Sequence, residues 1–492
     1  MGSISISNFN LNKMTKYIFR LSILAAVVAL TSCKKDLAGI NKNPNAAENP
    51  QASYLLTAAE KVSADAYWGS DNNFNSSLLF VQHWAKIQYT DPDRYIFTNS
   101  SFTSLWNTLY GQSITNLNTI IQLPDERANV NYKNVAVILR SWAFQLLTDA
   151  YGDVPYSQAG NISEYVTPQY DSQKDVYKGL LAELKSAVTA LDVAGNEISG
   201  DVIYNGDIAK WKKFGNALRL RIAFRIADKE PDAASQIIQE VLSDPNGVIS
   251  NNAETAQLIY ADAPQHNPVS AWFDTRDDYR IAKTLVDKLY ALNDPRLPVY
   301  ASKPADASVT EYVGVPSGLT TTDASNLGFA KTSRPGAYFL APHAPAVLFS
   351  YAESLFYQAE AAARGFTSGN AADLYKQAIT ASLQQYAITD EAVIKNYLDQ
   401  PAVQYNAANY KASIGEQKWI ALFGQGLEAF AEWRRLDYPH LSPGVAAILE
   451  GKIPVRFIYP GTEQTLNGDN YKAAVAAQGT DNLTTKLWFD AN

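Results

Sequence analysis

Apolar residues recur at intervals of three and four through most of this chain, and runs of strict alternation are scarce, which commits it to helices packed on helices. Four early stretches carry the pattern: Leu55 to Tyr67, Ser76 to Ile87, Phe102 to Leu123 and Tyr132 to Tyr151. The last stops at Tyr151-Gly152-Asp153-Val154-Pro155, where glycine suits a helix C-cap and proline prevents continuation. The same spacing predicts helices over Asp171 to Leu191, Asp207 to Ala227, Asp278 to Leu292, Val347 to Arg364, Ala371 to Tyr386 and Ile414 to Leu436, with a late one near Tyr471 to Ala477. The fold class is mainly α.

Two of these helices make a joint prediction. In Asp207 to Ala227, apolar residues occupy most of the circumference, so the helix is buried and takes Arg221 and Arg225 with it, one turn apart. Two like charges in an interior require carboxylates. Glu428 and Glu432, also one turn apart on the helix carrying Trp419, Phe423, Leu427 and Phe430, are the expected partners. An ion-pair network is favoured over capture of an anionic substrate by the arginines, or general acid and base work by the glutamates. Gly424 and Gly426 in that helix call for a close neighbour, since each costs about 1 kcal/mol against alanine.

Val347 to Arg364 and Ala371 to Tyr386 are joined by the turn-rich Gly365 to Asn370 and should fold antiparallel. Ala359, Ala371, Tyr375 and Ala378 match the small and aromatic spacing of tetratricopeptide repeats, but Leu383 stands where the closing proline belongs. A degenerate repeat and a plain helical hairpin both fit.

The chain has one cysteine, which rules out internal disulfides and thiolate metal clusters. It follows Lys16, Arg20 and the apolar run Leu21 to Leu30, too short to span a bilayer as a helix and read as a secretory signal. Leu30-Thr31-Ser32-Cys33 resembles the lipobox of bacterial lipoproteins, which implies cleavage before Cys33 and lipidation of its thiol. Met14 would serve equally well as the start. Residues 33–50 read as a polar lipidated tether, and 51–492 as a single domain with a loop-rich insertion at about 245–345. Removing residues 1–32 takes away three basic residues and no acid, so the mature chain has formal charge −11 and nucleic acid is not an expected partner.

Catalytic and metal motifs fail on spacing. His83, His266, His343 and His440 are scattered, no phosphate loop or serine elbow occurs, and Asp91-Pro92-Asp93 lacks a calcium-loop pattern. No metal and no cofactor is expected. Two glycosidase carboxylates need no fixed spacing, so a surface hydrolase remains the rival class.

The blocks LRSWAFQLLTDAYGDVPYSQA, KWKKFGNALRLRIAFR, NDPRLPVY, YAESLFYQAEAAARG, EQKWIALFGQGLEAFAEWRR and PVRFIYPGTEQTLN, in this order, resemble the SusD/RagB family of nutrient-binding outer-membrane lipoproteins, on its SusD-like branch. The resemblance implies about four tetratricopeptide-like helix pairs with a loop-rich half packed on them. It also implies a non-enzymatic lid on a TonB-dependent, SusC-like transporter barrel, binding oligosaccharide or, alternatively, peptide. The family supplies no universal ligand residues, so the site must come from local structure. Trp106, Trp142, Trp211, Trp419 and Trp433 lie in amphipathic helices and are assigned to core. Trp68 precedes Gly69-Ser70-Asp71-Asn72, and Trp272 precedes Asp274, Arg276 and Asp277. A sugar needs a ring to stack on and polar groups at its edge. The expectation is one shallow glycan site from Trp68, Asn72 and Trp272, with Arg276, Trp84 and Tyr89 nearby, and 300–339 as the fallback region.

Overall fold

The computed structural model describes residues 50–161 and 163–490. The expected signal, Cys33 and nearly all of the tether lie outside the described residues. From Ala52 onward the chain forms one compact unit. Helix α1 (Ala52–Trp68) leads into a π-helical segment, Ser70–Ser77. Helix α2 (Thr103–Thr108) runs through a second π turn, Leu109–Ile114, into α3 (Thr115–Gln122), and both pack on α1. Then come α4 (Val130–Tyr151), α5 (Gln173–Ala190), α6 (Ile208–Ile226) and α7 (Pro231–Ser243), each packed on the one before. Side-chain caps start α4 at Asn129, α5 at Ser172 and α6 at Asp207, each accepting from a backbone N–H of the first turn.

The 245–345 region is ordered by two small antiparallel ladders. Strand β1 (Trp84–Lys86) pairs with β3 (Tyr279–Ile281), and β2 (Ala256–Ile259) with β4 (Pro345–Phe349). Between them lie α8 (Pro268–Phe273) and α9 (Lys283–Ala291). The helical pattern then returns in α10 (Tyr351–Ala363), α11 (Ala371–Gln385), α12 (Glu391–Leu398), α13 (Tyr410–Ala421), α14 (Gly426–Leu436) and α15 (Gly468–Gln478). In the tightly packed α10 and α11 pair, Ala359, Tyr375 and Ala378 are all buried, so the small and aromatic spacing does seat one helix on the other.

Four helix assignments are corrected: Asp278 to Leu292 and Val347 to Arg364 begin in strands β3 and β4, and their helices start only at Lys283 and Tyr351. Ser76 to Ile87 is not one helix, because the π-helical segment ends in a single α turn and the chain then extends into β1. Ile414 to Leu436 breaks between α13 and α14, where Gly424 adopts φ +88°. Its carbonyl accepts from Asn73 Nδ2 at 3.0 Å while Asn73 Oδ1 accepts from Gly426 N–H at 2.8 Å. Asn73 thus serves both sides of the break, and a Cβ on Gly424 would sit 2.8 Å from the Trp68 ring. The glycines answer to a turn and a close approach rather than to a mid-helix contact.

The arginine prediction is met for Arg225, while Arg221 takes Glu353, a carboxylate not expected from the sequence, as its main partner. Arg225, wholly buried, reaches Glu428 at 2.7 Å, Asp149 at 3.0 Å and Glu432. Arg221 grips Glu353 through two 2.8 Å bonds and lies 3.5 Å from Glu428. Arg435 adds Glu360 at 2.6 Å, and Lys418 reaches Glu432 at 2.8 Å. This network ties α4, α6, α10, α13 and α14 through the middle of the helical half. Burial and pairing remove Glu428 and Glu432 from any acid and base role.

Candidate functional site

The site follows from the register of the first ladder. Trp84 faces Ile281 and Lys86 faces Tyr279, and Ile87 N–H still donates to Asp278 O at 3.0 Å beyond the strand ends. Carried outward by the same offset, the register sets Tyr89 opposite Arg276. On the other side, Arg276 N–H donates to Trp272 O at 3.1 Å, an i to i−4 turn that prolongs α8 and puts both side chains on one face. The sequence therefore delivers Tyr89, Arg276 and Trp272 to one place from two loops.

Their side chains stack. The Arg276 guanidinium lies 5.1 Å from the Tyr89 ring centroid and 4.8 Å from that of Trp272. Such contacts contribute about 0.5–1 kcal/mol each at an exposed site. Tyr89 is 57% exposed and its backbone is left-handed, φ +54°. A bulky residue in that region carries strain of about 1–3 kcal/mol, so the fold holds an exposed ring in a costly position.

Asp278 anchors the stack from below. Its carboxylate accepts from Trp272 Nε1 at 2.9 Å and meets Lys86 Nζ at 3.1 Å and Arg276 Nη2 at 3.4 Å. Burial would raise its pKa, but the Lys86 ammonium and the bonds from Trp272 and Arg276 outweigh it and hold Asp278 below the usual range. Burial draws the Lys86 ammonium down against the pull of Asp278, and its Nζ lies 4.2 Å from the Tyr279 ring centroid. Phe74, from the π-helical segment, meets Trp272 edge-on at 5.5 Å. Ring orientation is thus fixed by packing on one side and a charge-assisted bond on the other.

Of the six expected site residues, the structure brings three together at the surface and buries three. Trp68 is 3% exposed, with its indole N–H donated to Val347 O at 3.2 Å and its ring against Gly424. Asn72 is buried and donates to Ala66 O at 2.9 Å. Trp84 is buried among Phe74, Phe273 and Tyr279. These three are core, because long-range contacts cover the chain just after α1. Tyr89, Trp272 and Arg276 do come together at the surface, while in the fallback region Tyr300 and Phe339 are buried against Phe423. Asp278, Lys86 and Phe74 were not expected; the β1 and β3 register would have pointed to Lys86 and Asp278, while Phe74 comes from the π-helical segment.

Among the described residues no cluster of His, Asp, Glu or Cys is arranged to hold a metal ion, and no helix is long and apolar enough to cross a membrane. His83, against Trp419 and Phe423, is pushed down to about 3 by burial and stays neutral.

The family model described as SusD-like, starch-binding and associating with the outer membrane matches residues 44–460. Among solved structures, a chitin-binding protein 32% identical to this chain superposes with a TM-score of 0.81, over 90% of this chain and all of its own. A SusD homologue from Bacteroides uniformis, 25% identical, gives 0.80 over 89% of this chain and all of its own. A chitin-binding SusD homologue from Flavobacterium johnsoniae, 24% identical, gives 0.81 over 90% and 98% and bears on the fold alone. No curated protein sequence matches.

Proposed function

We propose that this chain, which belongs to the SusD-like family, is a cell-surface lipoprotein that captures oligosaccharide and passes it to a TonB-dependent, SusC-like transporter as its lid. The family description and the chitin-binding relative support a glycan ligand and an outer-membrane setting. The observation that carries the reading is the Tyr89, Arg276 and Trp272 stack, which combines an exposed ring in a strained backbone with a half-open guanidinium stacked on it. Pyranose rings offer an apolar face to such a ring and hydroxyls to the guanidinium. Lipidation at Cys33, expected from the lipobox-like Leu30-Thr31-Ser32-Cys33, would supply the anchoring.

Binding suits the site better than catalysis. Asp278 is buried, clamped by three donors and held below the usual carboxylate range, so it is not poised to carry a proton, and Asp277 is bridged to Arg280 and Arg334.

The test is calorimetry of the mature chain against chito-oligosaccharides and a wider polysaccharide panel, with Tyr89→Ala and Trp272→Ala alongside. An open platform gives affinities of roughly micromolar to millimolar, about 4 to 8 kcal/mol. Each substitution should weaken a bound glycan at least fivefold with the circular dichroism spectrum unchanged. A glycan whose affinity ignores both substitutions places the site elsewhere.

A further inference from the structure

A second concave surface is built from elements that contribute nothing to the platform. The chain end folds back over the start of α5: Val455 N–H donates to Leu483 O at 2.7 Å, Phe489 N–H donates to Gln173 Oε1 at 3.1 Å, and the Trp488 ring lies 6.3 Å from that of Tyr177. From the other side, Gln478 at the end of α15 accepts from Asp153 N–H at 2.6 Å, and Asp153 in turn accepts from Gln173 N–H at 2.8 Å. Lys229, between α6 and α7, completes the wall. The cleft they enclose holds about 610 Å³, inside the roughly 300–1,000 Å³ of pockets that take small ligands.

Trp488, on one wall, is half-buried, and its indole N–H meets no acceptor among the described residues. Lys229 and Lys486 are exposed and have no ion-pair partner among the described residues, while Lys174 is engaged by Glu230. Against these ammoniums stand Asp153 and Asp490, with Asp175 bonded to the lining Ser172 at 2.6 Å. Asp490 is 6% exposed; one carboxylate oxygen accepts from Leu487 N–H at 3.3 Å, and the other has no partner. Burial pushes its carboxyl up, against the pull of Arg434, Lys486 and Lys229. Neither sign of charge prevails, so an anionic ligand would meet the carboxylates and a cationic one the ammoniums. A neutral polyol suits both, because each hydroxyl can donate to a carboxylate or accept from an ammonium, while the C–H face of a pyranose suits an indole.

We infer that this cleft is a second glycan site, separate from the platform, which takes a short neutral sugar segment against Trp488 with its hydroxyls shared between Lys229, Lys486 and Asp153. It stands or falls independently of the platform. The test is fluorine NMR of the detergent-solubilised mature chain carrying 5-fluorotryptophan, in which the Trp488 signal is identified by its loss in Trp488→Phe. The probes are maltotriose, cellotriose and chitotriose. At least one should shift the Trp488 signal with half-saturation at roughly 0.1 to 10 mM. That midpoint should stay within twofold between about 50 mM and 0.5 M salt, because the ligand carries no charge to be screened. Lys229→Ala combined with Lys486→Ala, two exposed positions that leave the reporter in place, should raise it at least threefold. Tyr89→Ala, which disables the platform, should leave the Trp488 response intact. A Trp488 signal that no probe moves overturns the inference, whatever the platform binds. So does a response that disappears with Tyr89→Ala, one that ignores the double lysine substitution, or one that glutarate or trialanine produces at lower concentration than any of the sugars.

Discussion

Replacing Arg225 by methionine tests whether the buried network is held by charge pairing. The side chain has no exposure and touches Asp149 at 3.0 Å, Glu428 at 2.7 Å, Glu432 and the Tyr357 hydroxyl. Methionine keeps much of the volume but removes one of the four network cations that face five buried carboxylates. Removing one member of a buried pair costs about 3–5 kcal/mol. Here the loss is uneven. Glu428 keeps Arg221 at 3.5 Å and Glu432 keeps Lys418 and Arg435, whereas Asp149 is left with only the amide of Gln145 and the hydroxyl of Tyr177. The expected cost is therefore at the low end, about 3 kcal/mol. Asp149→Asn should destabilise the native protein, yet in the Arg225→Met background it should be neutral or recover about 1–2 kcal/mol, because the stranded charge is gone. Urea unfolding followed by tryptophan fluorescence reads all four corners of the cycle. If Asp149→Asn costs the same in both backgrounds, the carboxylate is not paired with Arg225 and the reasoning fails.

Asp93 should set a pH dependence: its folded pKa of about 7 lies above the ordinary 3.8, so the stability it contributes is full below about pH 4 and is lost as pH rises through 7. The span is on the order of 4 kcal/mol, and Asp93→Asn should flatten it and be the more stable form at pH 8; identical unfolding profiles from pH 4 to 8 would refute this. Trp68→Ala should cost about 3–5 kcal/mol in denaturant unfolding and leave glycan affinity of the folded fraction unchanged, whereas a selective loss of affinity would return Trp68 to the site. Gly424→Ala should destabilise by about 1–3 kcal/mol, since it places a Cβ at positive φ against that indole, and wild-type stability would mean the turn is not needed. Cys33→Ala should release the protein from membranes into the soluble fraction; unchanged fractionation would remove the lipid anchor from the reading.

Most helix positions, the need for a buried ion network and two of its carboxylates, Glu428 and Glu432, were legible in the sequence, whereas Asp149, Glu353 and Glu360 were not. What was legible rests on local rules: helix neighbours are three and four residues apart, and an arginine on an all-round buried helix must find a carboxylate however distant, as Arg225 finds Glu428 203 residues on. The broken helix at Gly424 and the pairing of β1 with β3 were not legible, because a glycine and a three-residue strand owe their conformation to what packs on them. The same division runs through the site. Trp68 and Trp272 look alike in sequence, each a tryptophan leading into a polar loop. Val347, 279 residues away, takes the indole N–H of Trp68, and Gly424 lets the ring sink inward. Trp272 stays at the surface, since Asp278, six residues on, takes its N–H and leaves the ring beside Arg276. Sequence determined where rings and charges were available; only tertiary packing, through contacts hundreds of residues apart, decided which of them reach water.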